Sequence, residues 1–334
     1  MSKTPRFSII IPVYNRPDEL KELLESLAVQ PYRDFEVLVI EDGSTRNAEE
    51  VAKAYTDELN LNYFKKPNTG QGFSRNYGFE RAMGDYFLVF DSDCIIPPPF
   101  FTALNRGLTE HGWELWGGPD AAHDSFSPIQ KAISYSMTSL FTTGGIRGKK
   151  KHAGVFHPRS FNLGLSRRVY DTIGGFIITR KGEDIEYSIR AIKAGFKVGL
   201  IPEAFVYHKR RTSFGAFWKQ LHFFGTARIN INRFHPGEIK AVHTFPMLFT
   251  LGWLSIPILS LLWPAIGAYA AGMYALYFSL IALDASFKNR SLHIGLLSVV
   301  ASFIQLSAYG FGFMQELFRG KSAVNQGNEG LRNQ

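Results

Sequence analysis

The sequence predicts an α/β fold, built on a mostly parallel, Rossmann-like sheet and followed by C-terminal transmembrane helices. Three observations lead there. Short apolar runs at Phe7–Val13, Phe35–Ile40 and Tyr86–Phe90 alternate with stretches of helical period, the pattern of strands joined by crossover helices. Each run ends in polar, turn-forming residues: Pro12-Val13-Tyr14-Asn15, Glu41-Asp42-Gly43-Ser44 and Asp91-Ser92-Asp93. Between Phe245 and Phe287 the one charged residue is Asp284, and a second apolar run covers Leu292 to Met314. The first run suffices for two membrane spans of about 20 residues, and the second for one. Helices of a soluble core rarely stay apolar on every face for so long.

The elements follow in order. After the first strand, Asn15 and Pro17 supply an N-cap and an early helical proline, and Leu20, Leu23, Leu24 and Leu27 repeat at helical spacing. The second strand follows, then a helix over about residues 48–58 and a short strand at 61–64. Asn68-Thr69-Gly70-Gln71-Gly72-Phe73-Ser74-Arg75-Asn76 puts two glycines ahead of a helix, whose first N–H groups can face an anion with Arg75 adding a contact; a plain turn is the competing reading. The third apolar run stops at Asp91 and Asp93. A helix near 100–110, a strand near 114–118, a Gly/Lys-rich loop at 144–154, a strand at 160–166 and a helix at 168–173 continue the chain. Gly182-Glu183-Asp184 opens a helix with Ile185, Ile189 and Ile192 on one face, and a strand at 197–201 leads to His208.

In an open α/β sheet, ligands bind beyond the carboxyl ends of the strands, so Asp91 and Asp93 are delivered to that crevice. Two hard oxygen ligands held close together suit Mg²⁺ or Mn²⁺ beside a substrate diphosphate, although Asp and Ser after a strand are also ordinary turn residues.

With 334 residues, 45% of them hydrophobic, the chain has room for one large domain or two. The net charge of +8 does not point to nucleic acid. Lys209, Arg210, Arg211, Lys219, Arg228, Arg233 and Lys240 lie just ahead of the first span, where basic residues mark the cytoplasmic side and attract anionic headgroups. Lys3 and Arg6 precede a short β-type run, not the long apolar region of a signal peptide. The single cysteine, Cys94, excludes an internal disulfide and fits a reducing compartment.

Taken together, five motifs resemble those of the family 2 glycosyltransferases of GT-A fold, of the membrane-attached bacterial, non-processive type: Pro12 to Asn15, Glu41 to Ser44, Gly70 to Asn76, Asp91-Ser92-Asp93 and Gly182-Glu183-Asp184. The resemblance implies an inverting, metal-dependent transfer of one sugar from a nucleoside diphosphate sugar, UDP-sugar favoured. It implies Asp93, with Asp91 and His208, at the metal. Asp184 is the implied base, with Glu183 orienting it, and Pro12, Tyr14, Asp42, Arg75 and Asp91 contact the donor. The chemistry is consistent with this, because a departing diphosphate gains charge and an attacking hydroxyl needs a carboxylate to take its proton.

Processive members carry Gln-x-x-Arg-Trp where this chain has Gln220-Leu221-His222-Phe223-Phe224. Gln220 remains a candidate acceptor contact. The expected organisation is a GT-A domain at 1–211, an amphipathic interfacial helical segment at 212–243, a transmembrane region at 244–317 (about 245–263, 265–285 and 292–314) and a polar tail at 318–334. The expected setting is the cytoplasmic face of the inner membrane, as a multi-pass protein, with a lipid or lipid-linked saccharide acceptor in surface polysaccharide or glycolipid synthesis. A processive polysaccharide synthase and a non-catalytic nucleotide-sugar-binding scaffold are the alternatives. Lys288 and Arg290 fit the cytoplasmic side, whereas Arg319 and Lys321 after the last span weaken a three-span topology and leave a re-entrant last segment as an alternative.

Overall fold

A computed structural model describes residues 4–121, 126–143 and 156–319; the loop at 144–154 and nearly all of the polar tail lie outside the described residues. Two compact units emerge, one of residues 4–121 and 156–209, the other of 126–143 and 210–319.

The first unit runs β1 (Phe7–Val13), α1 (Pro17–Ala28), β2 (Phe35–Asp42), α2 (Glu49–Lys53), β3 (Leu61–Lys66), α3 (Gln71–Phe79), β4 (Tyr86–Phe90), β5 (Cys94–Ile95), α4 (Phe100–His111), β6 (Leu115–Gly117) and β7 (Asp120–Ala121). After the excursion into the second unit, where α5 (Pro128–Thr138) and α6 (Leu140–Thr143) lie, it resumes with β8 (Asn162–Ser166), α7 (Arg167–Ile173), α8 (Glu183–Lys193), β9 (Val198–Leu200) and β10 (Val206–His208).

Seven strands form one sheet in the order β3-β2-β1-β4-β8-β6-β9. All neighbours are parallel except those of β8, which runs antiparallel to both β4 and β6. The reason is connectivity. The chain leaves β6 at the carboxyl edge of the sheet and returns to that same edge, where Asn162 lies beside Phe90, so β8 must run backwards.

Alternation within the strands builds a core on each face. Ile9, Ile11, Val37, Val39, Leu88 and Phe90 pack with Leu20, Leu24 and Leu27 of α1 and with Phe100, Phe101 and Leu104 of α4. Ile10, Leu38, Ile40, Phe87 and Val89 pack on the other side with Phe79, Val169, Tyr187 and Ala191. The strand order reverses between β1 and β4, which makes their carboxyl ends the switch point of the sheet.

One expectation fails here. Asn15 is not the N-cap of α1; that position is Arg16, without a side-chain cap. Asn15 adopts φ 56° and spends its side-chain oxygen on Thr45 and on the Arg46 N–H, which ties the loop after β1 to the loop after β2. α2 also stops at Lys53, short of the expected residue 58.

The second unit is helical: α5, α6, α9 (Phe214–Phe234), α10 (Ala241–Leu262), α11 (Pro264–Asn289) and α12 (Leu292–Phe318). The last three are long and apolar enough to cross a membrane. Phe217 and Leu221 of α9 pack with Ala132, Ile133 and Met137 of α5 and with Ala301 and Ala308 of α12. A Cβ at Gly225 would collide with the Tyr309 carbonyl, and one at Gly312 with the His222 carbonyl, so these glycines set how closely α9 and α12 approach. α9 is therefore more enclosed than an interfacial amphipathic helix needs to be. Its buried residues, among them Phe217, Gly225, Thr226, Asn230 and Ile231, fall on more than one face.

Candidate active site

The site grows from the carboxyl end of β4. β10 pairs with β5 in antiparallel register, His208 opposite Cys94, and so brings a residue far along the chain beside Asp93. His208 Nε2 lies 3.1 Å from Asp93 Oδ1, the Lys209 N–H donates to the Asp93 carbonyl at 3.1 Å, and Phe161 stacks on the imidazole at 4.9 Å between centroids. Arg16 Nη1, reaching from the end of β1, donates to Asp93 Oδ2. Burial alone would raise the Asp93 carboxyl, but His208 and then Arg16 overrule it and hold it well below the usual carboxylate range.

Asp93, Cys94 and His208 place their candidate ligand atoms within 4.8 Å of one another. The thiol is a poor member of that set: burial, with the charges of Asp93 and Asp91, raises its pKa well above normal, and it donates to the Phe161 carbonyl at 3.4 Å. What remains is a carboxylate and an imidazole, a donor pair that fits Mn²⁺ or Mg²⁺ with water and phosphate completing the shell. Asp91 lies outside that cluster.

Asp91 belongs to a second constellation. Arg75 of α3 is fully buried and bridges two carboxylates, donating from Nη2 to Asp91 Oδ1 at 2.9 Å and from Nη1 to Glu183 Oε1 at 3.0 Å. Burial disfavours its charge, but Asp91 and Glu183 outweigh that and leave the guanidinium more firmly protonated than usual. Glu183 is buried as well, and its pKa is raised, by desolvation first. Gln71 donates to the same Glu183 oxygen. Arg75, expected to contact the donor, has no exposed surface and holds Asp91 and Glu183.

Asp184 differs from its neighbour. It is partly open, its side chain 14% exposed, and accepts from the Ile185 N–H at 2.8 Å and the Ser160 N–H at 3.3 Å, with Arg159 at 3.8 Å. Ser160 is there because β8 starts at the carboxyl edge.

Asp42 closes β2, where its carboxylate accepts from the N–H groups of Thr69 and Gly70 at 2.9 Å each and pairs with Lys66. Three of its lone-pair directions are thus engaged, leaving one on Oδ2. Pro12 is half-buried and Tyr14 is 52% exposed at the end of β1. Gln220 is half-buried on α9, in the other unit.

The start of α3 is not an open anion site. The Gly72 N–H donates to the Thr179 carbonyl at 3.0 Å, and Thr179 Oγ1 takes the Phe73 N–H. A Cβ on Gly72 would come within 2.5 Å of the Ile178 carbonyl oxygen, so this glycine lets the 178–180 segment pass over the helix. Sequence reasoning missed Arg16, Gln71, Arg159 and Phe161. Two of these carried a local signal, Arg16 directly after the first strand-end motif and Gln71 between the two glycines of the third.

Residues 8–174, half of the chain, match the profile of glycosyl transferase family 2. The chain belongs to that family. An uncharacterized glycosyltransferase of Rickettsia felis is 40% identical over 143 residues, which cover 42% of this chain and 23% of the relative. Glycosyltransferase AglE of Haloferax volcanii is 25% identical over 278 residues, covering 77% of this chain and 84% of its own. The chain spans less than a third of the length of the first curated relatives it matches. Among solved structures, a mannosyltransferase of Pyrobaculum calidifontis, PcManGT in complex with GDP-Man and Mn²⁺, aligns with a TM-score of 0.60 at 15% identity, covering 96% of this chain and 89% of that one. That likeness shows the fold, a GT-A-like sheet, and agrees with the architecture read from the sequence.

Proposed function

We propose that this glycosyl transferase family 2 protein moves one sugar, with inversion, from a nucleoside diphosphate sugar to a lipid or lipid-linked saccharide. The observation that carries the reading is the pairing of Asp93 with His208 at the switch point of the sheet, beside a separate carboxylate, Asp184. Asp93 and His208 would hold a divalent ion, which would supply positive charge against the departing diphosphate, and Asp91 would sit next to it or on the donor ribose. PcManGT, which shares the fold, holds GDP-Man and Mn²⁺.

The chain's own residues divide the remaining work. Glu183 is locked by Arg75 and Gln71 and is therefore a positioning group. Asp184 takes the proton of the acceptor hydroxyl as that oxygen attacks the anomeric carbon. One available base and no free second carboxylate beside it, among the described residues, suit a single displacement, which inverts the anomeric centre. Pro12, Tyr14 and the remaining Oδ2 lone pair of Asp42 form the floor for the nucleobase, with a UDP-sugar as the first donor to try. The apolar helices keep the enzyme at the cytoplasmic face of the inner membrane, where a lipid acceptor is concentrated, and Gln220 is assigned to that acceptor.

Calorimetric titration of UDP into purified protein tests the metal assignment. Binding strengthened by Mn²⁺ in the native chain, and indifferent to Mn²⁺ in Asp93→Asn and His208→Ala, is expected. Equal Mn²⁺ dependence in all three would remove both residues from the metal.

A further inference from the structure

We infer that only α10 and α11 cross the bilayer, as a hairpin with its tip at Trp263-Pro264, and that α12 stays on the side from which the chain enters α10. The inference rests on the membrane reading above and revises its count of spans.

Composition does not separate the three helices, since all are long and apolar. Their surroundings do. From Leu254 to Leu276 Gly267 alone is buried, and large apolar side chains stand exposed along both arms, among them Leu254, Ile258, Leu261, Tyr269, Met273 and Leu276. Arms of 22 and 26 residues reach about 33 and 39 Å at ~1.5 Å per residue, enough for a hydrocarbon core of about 30 Å. α12 has the opposite character. No residue from Ala301 to Phe313 is exposed, and the polar side chains of Ser302, Gln305 and Ser307 are enclosed within that stretch.

The contacts of α12 fix both its ends to one side. It starts three residues after α11 ends, where the hairpin returns, and a Cβ at Gly295 would lie 2.8 Å from the Ala282 carbonyl of that returning arm. Its other half meets the entering end of α10: a Cβ at Gly310 would lie 2.5 Å from the Pro246 carbonyl, and Thr250 Oγ1 reaches the Leu306 carbonyl at 3.4 Å. Farther along, Glu316 is ion-paired with Arg233 of α9, the helix that precedes α10. A helix tied at its start to the hairpin's exit and near its end to the hairpin's entrance lies along the membrane surface of the protein.

Charge agrees. The tip carries no charged residue, whereas Lys240, Lys288, Arg290 and Arg319 flank the three helices at the positions that the hairpin keeps together, and Lys321 follows two residues on in the sequence. Three spans would send Arg319 and Lys321 across, against the positive-inside bias. With a hairpin the conflict disappears.

Topology mapping in a bacterial host decides it. Trp263→Cys and Phe318→Cys are introduced singly, with Cys94 retained because it is buried, and labelled with a membrane-impermeant maleimide before and after lysis. Cys at 263 should react in intact, outer-membrane-permeabilised cells, and Cys at 318 only after lysis. A green fluorescent protein fused after Gln334 should fluoresce. Labelling at 318 in intact cells, or a dark fusion with a phosphatase fusion active in its place, overturns the inference, as does a tip protected until lysis. Loss of the native protein from membranes in alkaline carbonate would instead overturn the membrane reading itself.

Discussion

The two units bury polar groups in opposite ways. The sheet unit gathers charged side chains at its carboxyl edge, Arg75 with Asp91 and Glu183, Lys66 with Asp42, Arg16 with Asp93, and sets the His208 imidazole against Asp93 as well. In the helical unit, the Arg233–Glu316 and Asp284–Lys288 pairs and the buried Arg210 stand among helices whose backbones are brought together by glycine and serine. The contrast follows from what each must do. A site that handles a diphosphate needs fixed charges, and desolvating them is tolerable only where partners are supplied. Helices long and apolar enough to cross a membrane, as these are, would gain nothing from charge in hydrocarbon and would have to satisfy their backbones internally, so close packing would carry their association.

Substitutions can break or sharpen this contrast. Asp184→Asn removes the proposed base while leaving the Arg75 bridge to Asp91 and Glu183 in place and loosening only the 3.8 Å contact with Arg159, and transfer should fall by about 10²–10⁴-fold while donor affinity holds. Retained turnover would assign the base elsewhere. Arg75→Met strips both Asp91 and Glu183 of their countercharge. Denaturation in detergent should show a loss of about 3–5 kcal/mol, together with loss of transfer. Arg75→Lys should not restore it, since an ammonium cannot reproduce the two-pronged bridge.

In the helical unit the effects shrink. Gly312→Val drives a branched side chain into the His222 carbonyl and should cost about 1–3 kcal/mol, read as a lower melting point of the detergent-solubilised protein. Tyr269→Ser, on the exposed hairpin, should change stability in detergent by under about 0.5 kcal/mol. A large effect there would mean that a protein neighbour covers that face.

The strands were legible because each is a buried apolar run that ends in turn residues, and the same boundary located Asp91 and Asp93. The partner of Asp93 required more. His208 reaches it through a two-residue pairing between β5 and β10, which no periodicity announces, and the sequence pointed to it only through the family resemblance. Arg75 was found as a candidate, but its burial was not legible, because its partners Asp91 and Glu183 come from distant parts of the chain, as does the Ile178–Arg180 segment that packs on Gly70 and Gly72. α5 escaped notice altogether: Ala132, Ile133 and Met137 form a stripe that makes sense only against α9 and α12. The enclosure of α12 was hidden for a related reason, since apolar residues facing protein and apolar residues facing lipid have the same composition.

The most direct test of the account is transfer from a panel of nucleotide sugars by the detergent-solubilised protein, with total membrane lipid as acceptor, in Mn²⁺ or Mg²⁺ and in chelator. The account predicts that one sugar is added to lipid from one donor, that chelator abolishes it, and that Asp184→Asn does not support it. Metal-independent transfer, or the growth of a polymer in place of a single addition, would contradict it.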